Sequence, residues 1–333
     1  MTLPRGALLA VLATLLAVAP LRAQDAPLIV RGLRFKGNHA LDATQLSTAI
    51  ATTNSSWFAR AGMVRWMGLG EKRPFDQVEF ERDVLRVTLL YRKSGYLSVV
   101  VDTLVKRTPK DISITFLITE GLPVRLDSLT ILGLDSVAKP GAVTQDLPLR
   151  PGDPFNRILL DATSDTLVRR LRDRGYPDAI AFQSFERDKS ELAASAAIEL
   201  QTGPLSGVSG IGISGTKRIS PDVVRSLLAT RPGQQFSQEE LYRSQRNLYR
   251  SELFSFAAVS IDSAAYDPAS DSVPLTVRVT ESKPRRARGS IGYATEDCLR
   301  LGAGITFRDF AGHGQILDVS GRLSKIGVGS PTD

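Results

Sequence analysis

Side-chain chemistry needs partners at defined spacing, and this chain of 333 residues offers few such sets. Its two histidines, His39 and His313, lie far apart, and Cys298 is its one cysteine. A His/Cys metal centre needs several soft ligands close together, and a disulfide framework needs a second thiol. Gly210-Ile211-Gly212-Ile213-Ser214-Gly215 matches the G-x-G-x-x-G of dinucleotide sites, which works only where a strand precedes it and a helix opens at its end. Here the glycines fall inside a strand-like run, in register with Ser128 to Gly133, so a nucleotide is not expected. The chain has no G-x-x-x-x-G-K-[ST] and no G-x-S-x-G, and neither histidine stands in an acid or nucleophile arrangement. No catalytic residue, metal or cofactor is expected, and the chain reads as a non-enzyme.

Lys and Arg total 42 against 35 Asp and Glu, a formal net charge of +7. The densest basic cluster is Lys283-Pro284-Arg285-Arg286-Ala287-Arg288. It has no interleaved aromatics, which makes a poor nucleic-acid site. Anionic lipid head groups are one partner for Lys283, Arg285, Arg286 and Arg288, and a solvated linker is the other assignment.

Residues 1–23 have the pattern of an export signal: Arg5, an apolar run from Ala7 to Ala19, then Leu21-Arg22-Ala23 before Gln24. The apolar run is shorter than the roughly 20 residues of a spanning helix, and a retained membrane anchor is the alternative. Cleavage removes Arg5 and Arg22 and no acid, leaving +5.

The elements behind these residues emerge from an internal repeat with a spacing of about 80 residues. Phe75-Asp76, Phe155-Asn156 and Phe236-Ser237 each open a helical pattern, with Ser237 to Glu240 written as a capping box. Phe80, Val84, Val87 and Tyr91 mark one helix face; Leu160, Leu167 and Leu171, then Leu241 and Leu248, mark the others. Gly95-Tyr96 and Gly175-Tyr176 end the first two helices; Leu253-Phe254 stands in the third, so its exit should differ. Two strand-like runs follow each helix, the second alternating cleanly: Ile112 to Ile118, Ala194 to Leu200, Val273 to Val279. Another strand, ending in Gly37, Gly133 or Gly215, precedes each helical part. Short capped helices follow the first and third of these strands, at Asp42 to Ala51 and Pro221 to Ala229. The unit is β-α-α-β-β.

Between the helices of the first unit lies an insertion, Asn54 to Pro74, carrying Trp57, Phe58 and Trp66. These apolar residues are candidates for a partner contact, the alternative being packing on their own domain. After the third unit, Leu299, Leu301, Ala303, Ile305 and Phe307 alternate with Arg300, Gly302, Gly304, Thr306 and Arg308. Leu317, Val319, Gly321 and Leu323 repeat the pattern, and Ser290 to Thr295 forms an earlier strand. Such alternation suits membrane strands that face lipid on one side; a small soluble sheet is the alternative.

A β-α-α-β-β unit with a Phe-cap helix, a Gly-Tyr turn and Gly37-Asn38 or Gly215-Thr216 after its first strand resembles a POTRA domain. Three of them behind an export signal and ahead of alternating strands resemble the BamA/TamA family of outer-membrane assembly factors, its TamA branch by repeat count. The resemblance implies an α+β fold: three tandem POTRA-like β-α-α-β-β domains, at 27–121, 122–203 and 204–282, then the first strands of an outer-membrane antiparallel β-barrel at 285–333. The family's barrel has many more strands than these, so the expectation is a chain truncated within it. The resemblance also implies an outer-membrane location, with the POTRA-like domains in the periplasm.

Unfolded outer-membrane proteins, other subunits of the assembly machinery and outer-membrane lipid are the implied partners, with no nucleic acid. The family reading puts the substrate-binding edge on the first strand after the Gly-Tyr turn: Ser98 to Val105 with Val99, Val100 and Val101, Ala179 to Glu186 with Ala179, Ile180 and Phe182, and Ala257 to Asp262 with Ala258 and Val259. Sequence-tolerant main-chain pairing would capture substrate there. A two-partner secretion transporter and a soluble periplasmic protein-binding scaffold are the competing assignments.

Overall fold

A computed structural model describes residues 28–53, 74–188, 192–294, 298–312 and 314–326. The export-signal residues, the insertion with Trp57, Phe58 and Trp66, His313 and the side chain of Cys298 lie outside the described residues.

The first repeat runs β1 (Ile29–Lys36), α1 (Ala43–Ala49), α2 (Gln77–Lys93), β2 (Val100–Arg107) and β3 (Asp111–Thr119). The second runs β4 (Arg125–Leu132), α3 (Gly141–Thr144), α4 (Arg157–Arg172), β5 (Ile180–Asp188) and β6 (Ala193–Gln201). The third runs β7 (Gly207–Ser214), α5 (Pro221–Leu227), α6 (Gln238–Arg250), β8 (Phe254–Ile261) and β9 (Ser272–Glu281). The tail is β10 (Arg285–Ala294), β11 (Cys298–Phe310) and β12 (Gln315–Ile326). Packing divides the described residues into two compact units, one of those up to 127 with those of 151–158 and 187–194, the other of the remaining described residues. Their boundary runs through the second repeat.

Each long helix starts where an Asx or Ser side chain meets free amides. Asp76 accepts from Val78 and Glu79, and Asn156 accepts from Ile158 at 2.8 Å. Ser237 accepts the Glu240 amide at a long 3.4 Å, and the full reciprocal capping box forms at Asp42 and Gln45. Helix α3 was not expected from the sequence: it spans one turn, has no side-chain cap and buries only Val143.

Every repeat sheet places its last strand in the middle, in the orders β1-β3-β2, β4-β6-β5 and β7-β9-β8. β3 and β9 are parallel to the first strand of their repeat and antiparallel to the second. The alternating residues expected on the middle strands, Ile112 to Ile118 and Val273 to Val279, are buried under the helices. They join Phe80, Val87 and Tyr91 in the first core, and Leu241 and Leu248 in the third.

The glycine closing the first strand of each repeat answers to a contact. Gly37, Gly133 and Gly215 have φ of 81°, 85° and 91°. A Cβ on them would stand 2.1, 2.0 and 1.9 Å from the carbonyl oxygens of Ile118, Leu200 and Val279 on the middle strand. No other residue fits without moving backbone.

A second recurrent device was not visible in the sequence. Asp83, Thr163 and Ser244 are buried polar residues at corresponding points of the three long helices, each fully enclosed. Asp83 accepts the amides of Ala51 and Thr52 at 2.9 and 2.8 Å, Thr163 that of Leu149 at 3.1 Å, and Ser244 that of Ala229 at 2.8 Å. Each side chain thus caps the free end of the chain leaving the short helix. Burial pushes the Asp83 carboxyl up, but hydrogen bonds from Thr52 and Ala51 and the Arg86 guanidinium more than offset this and hold it below the usual range.

Alanine at Gly37, Gly133 or Gly215 will cost at least about 2 kcal/mol, while Gly152→Ala, at φ 93° but with open space around it, will cost about 1 kcal/mol. Urea midpoints check the difference. The Asp83 contribution to stability is complete above the unfolded carboxyl value, about 3.8, and is lost as pH falls through the lower folded value. Unfolding of the first repeat will therefore ease as pH falls below about 4, and Asp83→Ser, which copies the third repeat, will remove that part of the dependence.

Candidate functional site

A three-stranded sheet has two outer edges, and in these repeats the first is occupied. The Phe75 amide donates to the Leu28 carbonyl at 2.7 Å, and Ile29 bridges to Pro74. In the second repeat Leu126 donates to Asp153, Gly152 to Leu126 and Phe155 to Val124, at 2.7 to 2.8 Å. In the third, Val208 donates to Gln234, Gly233 to Val208 and Phe236 to Ser206, at 2.7 to 3.0 Å. The segment that carries the Phe-cap anchor therefore also covers the start of the first strand.

The opposite edge belongs to β2, β5 and β8. β2 pairs with β3 in unbroken register from Val100–Thr119 to Arg107–Ile112. The Thr108 amide donates inward to the Asp111 carbonyl at 2.8 Å, and the Thr103 amide turns outward, capped by the Asp102 carboxylate at 2.7 Å. Alternation then directs the backbone of Val101, Thr103 and Val105 outward and that of Val100, Asp102 and Leu104 toward β3. Asp102 acts as an edge blocker, occupying one outward donor.

Among the candidate edge residues, Val100 and Phe182 are 61% and 52% exposed, and Ile180 is exposed too. Val99, Ala179 and Val259 are buried in their cores instead, and Val99 and Ala179 precede their strands. Val101 and Ala258 are half-buried. The edge strands begin at Val100, Ile180 and Phe254, so the expected limits shift by up to three residues. β8 is less regular than β2, with its register broken between Phe254 and Phe256.

The Gly-Tyr turn behind each edge joins one repeat to the next. Gly95, at φ 96°, takes the Val124 amide on its carbonyl at 2.9 Å, and Tyr96 packs edge-on against Tyr91. The Gly175 carbonyl takes the Ser206 amide at 2.7 Å. In the third repeat the left-handed residue is Glu252, φ 55°, and the Leu253 carbonyl takes the Ser282 amide at 2.8 Å. The expected difference at this exit is a left-handed residue placed earlier, and the seam itself is kept.

The tail strands form an antiparallel meander in the order β10-β11-β12. Register aligns Ile291 with Leu301 and Leu323, and Ile305 with Val319, on one face; these side chains are exposed. On the other face Arg288 pairs with Asp318 at 2.7 Å, and Thr306 Oγ1 donates to the same carboxylate at 2.7 Å. This corrects the linker assignment of the basic cluster: Arg285, Arg286 and Arg288 lie in β10, with Arg285 over the Phe307 ring. Lys283 precedes the strand, and its carbonyl accepts from the Arg308 guanidinium at 3.1 Å.

Arg308, which the sequence did not single out, fastens this sheet to the third repeat. Its side chain is 11% exposed and lies 3.6 Å from Glu252, while its amide donates to the Pro284 carbonyl at 2.7 Å. The turn after it packs on the third repeat as well: a Cβ on Gly314 would stand 2.7 Å from Val223. Among the described residues no three His, Cys, Asp or Glu side chains group as a metal site, and no helix is long and apolar enough to cross a membrane.

The POTRA family, described as surface antigen variable number repeat, matches residues 28–121 and 207–282, together just over half of the chain. The second repeat falls between these matches but has the same strand order. Outer membrane protein assembly factor BamA of Neisseria meningitidis serogroup B is 22% identical over 303 residues, covering 89% of this chain and 36% of that protein. The chain spans about a third of the length of the curated relatives it matches. The solved structure of BamA from Haemophilus ducreyi lacking POTRA domains 1–3 aligns with a TM-score of 0.53 at 19% identity, over 60% of this chain and 37% of that one. That likeness is one of fold. Haemophilus influenzae BamA POTRA3-5 aligns with a TM-score of 0.49 at 18% identity, over 79% of this chain and 100% of that one.

Arg308→Ala will raise amide hydrogen exchange at Arg285 and Arg286 and in the turn from Asp309 to Gly314, leaving β1 to β3 unchanged. Equal exchange in variant and parent would show that Arg308 does not fasten the seam.

Proposed function

The chain belongs to the POTRA family, and from that membership and its uncovered sheet edges we propose that it is an outer-membrane protein assembly factor that receives unfolded barrel proteins by strand addition. The chain lies in the cell outer membrane through its tail strands, with the repeats in the periplasm. The observation that carries the reading is the asymmetry of the first sheet. β1 is covered at its start, while β2 presents eight residues in continuous register, with outward donors at Val101 and Val105 and a third, at Thr103, held by Asp102. A guest strand gains affinity there from main-chain hydrogen bonds, which suits a receptor for many sequences.

β5 and β8 offer the same edge in the other repeats, and the bulge in β8 makes it the poorer template. Captured segments pass toward β10 and its sheet, where the exposed apolar side chains of Ile291, Tyr293, Leu301 and Val319 face lipid. No nucleotide is needed, because folding of the guest into the bilayer supplies the drive. Other assembly subunits dock on the repeats, with Trp57, Phe58 and Trp66 as candidate contacts.

Proline tests the edge when placed at an outward donor, where an edge strand tolerates it. Val101→Pro will weaken cross-linking to nascent barrel proteins about threefold to tenfold, the worth of one or two hydrogen bonds. Asp102→Ala, which releases the Thr103 amide, will strengthen it. Unchanged capture by Val101→Pro, with the repeat folded, would refute strand addition at β2.

A further inference from the structure

The solvent face of the first sheet carries a feature that strand addition does not use. Three rows cross it, set by the strand register: Gly32, Ser113 and Lys106; Arg34, Thr115 and Leu104; Lys36, Leu117 and Asp102. Small and hydroxyl side chains of β3 form a low floor, with cationic side chains rising from β1 on one side and from Lys106 of β2 on the other. Leu104 and Leu117 are exposed within it. Arg31 is held by Asp111 at 3.3 Å, whereas Arg34, Lys36 and Lys106 have no ion-pair partner among the described residues. Asp102 is the one acid in the three rows, and it is turned to the Thr103 amide.

The fold does not require these cations. Arg34 corresponds to Thr130 and Gly212 in the other repeats, and Lys36 to Leu132 and Ser214, counting back from Gly37, Gly133 and Gly215. Lys106 corresponds to Glu186 in the second repeat, counting from Val99 and Ala179. The corresponding rows of the third sheet hold one cation, Arg278, opposite Ser214 and Ala258, where the first sheet holds three.

We propose that this face docks an acidic, extended segment of a partner protein, lying along β3 with carboxylates toward Arg34, Lys36 and Lys106 and an apolar side chain on Leu104 and Leu117. The dimensions suit one chain: β1 and β2 stand about 10 Å apart across β3, and alternate residues of an extended guest repeat every 6 to 7 Å, as Arg34 and Lys36 do. A bilayer surface is flat and would meet the raised cations without reaching Thr115 or the two leucines, which favours a polypeptide. The surface uses side chains on the sheet face and not the outward backbone groups of β2, so either can fail without the other.

The test uses the full chain in detergent and a fluorescein-labelled peptide, Glu-Leu-Glu-Thr-Glu-Leu-Glu, with a lysine-for-glutamate peptide as control. Anisotropy will show binding of the acidic peptide that weakens with salt, and the control peptide will not bind. Arg34→Thr with Lys36→Ser, residues the other repeats already carry, will weaken binding at least tenfold. Absence of acidic-peptide binding, or binding equal in parent and double variant, would overturn the proposal. So would loss of phosphatidylglycerol-vesicle binding in the double variant with peptide binding intact, which would assign the face to lipid.

Discussion

A three-stranded sheet covered by helices on one face must still end in two rows of backbone groups. In each repeat the chain can cover only one of them, because the segment between the helices returns along the first strand and nothing described returns along the second. The middle strand is fixed by glycine: Gly37, Gly133 and Gly215 let the first strand end against the carbonyl of Ile118, Leu200 or Val279. With the middle taken, the second strand is left outermost. The uncovered edge is thus a product of topology and belongs to the fold before any particular sequence on it.

The seams between repeats come from the same geometry. The carbonyl just past each long helix, at Gly95, Gly175 and Leu253, receives an amide from the segment that opens the next repeat or the tail. Helix exit, edge strand and next repeat therefore share a few residues, and a change at the turn bears on all three. At the last seam Arg308 adds a side-chain fastening between Glu252 and the Lys283 carbonyl, which ties the tail meander to the third repeat within one compact unit.

Much of this was legible in the residues. Helical spacing at Phe80, Val87 and Tyr91, and period-two spacing at Ile112 to Ile118, reported burial directly, because burial is what produces such spacing. What stayed hidden depends on partners distant in sequence. Asp83, Thr163 and Ser244 read as ordinary polar positions on a helix until the amides they cap come into view. The limits of the edge strands, and the inward turn of Val99, Ala179 and Val259, needed the register with the middle strand. The basic cluster read as a lipid contact or a solvated linker, whereas pairing with β11 draws it into a strand.

Amide hydrogen exchange along β2, measured as an unfolded outer-membrane protein is added, tests the central claim most directly. Strand addition predicts new protection at Val101, Thr103 and Val105, with Val100, Asp102 and Leu104 already slow and unchanged. Protection confined to the helices, or no change at the three outward amides while the guest is bound, would contradict it.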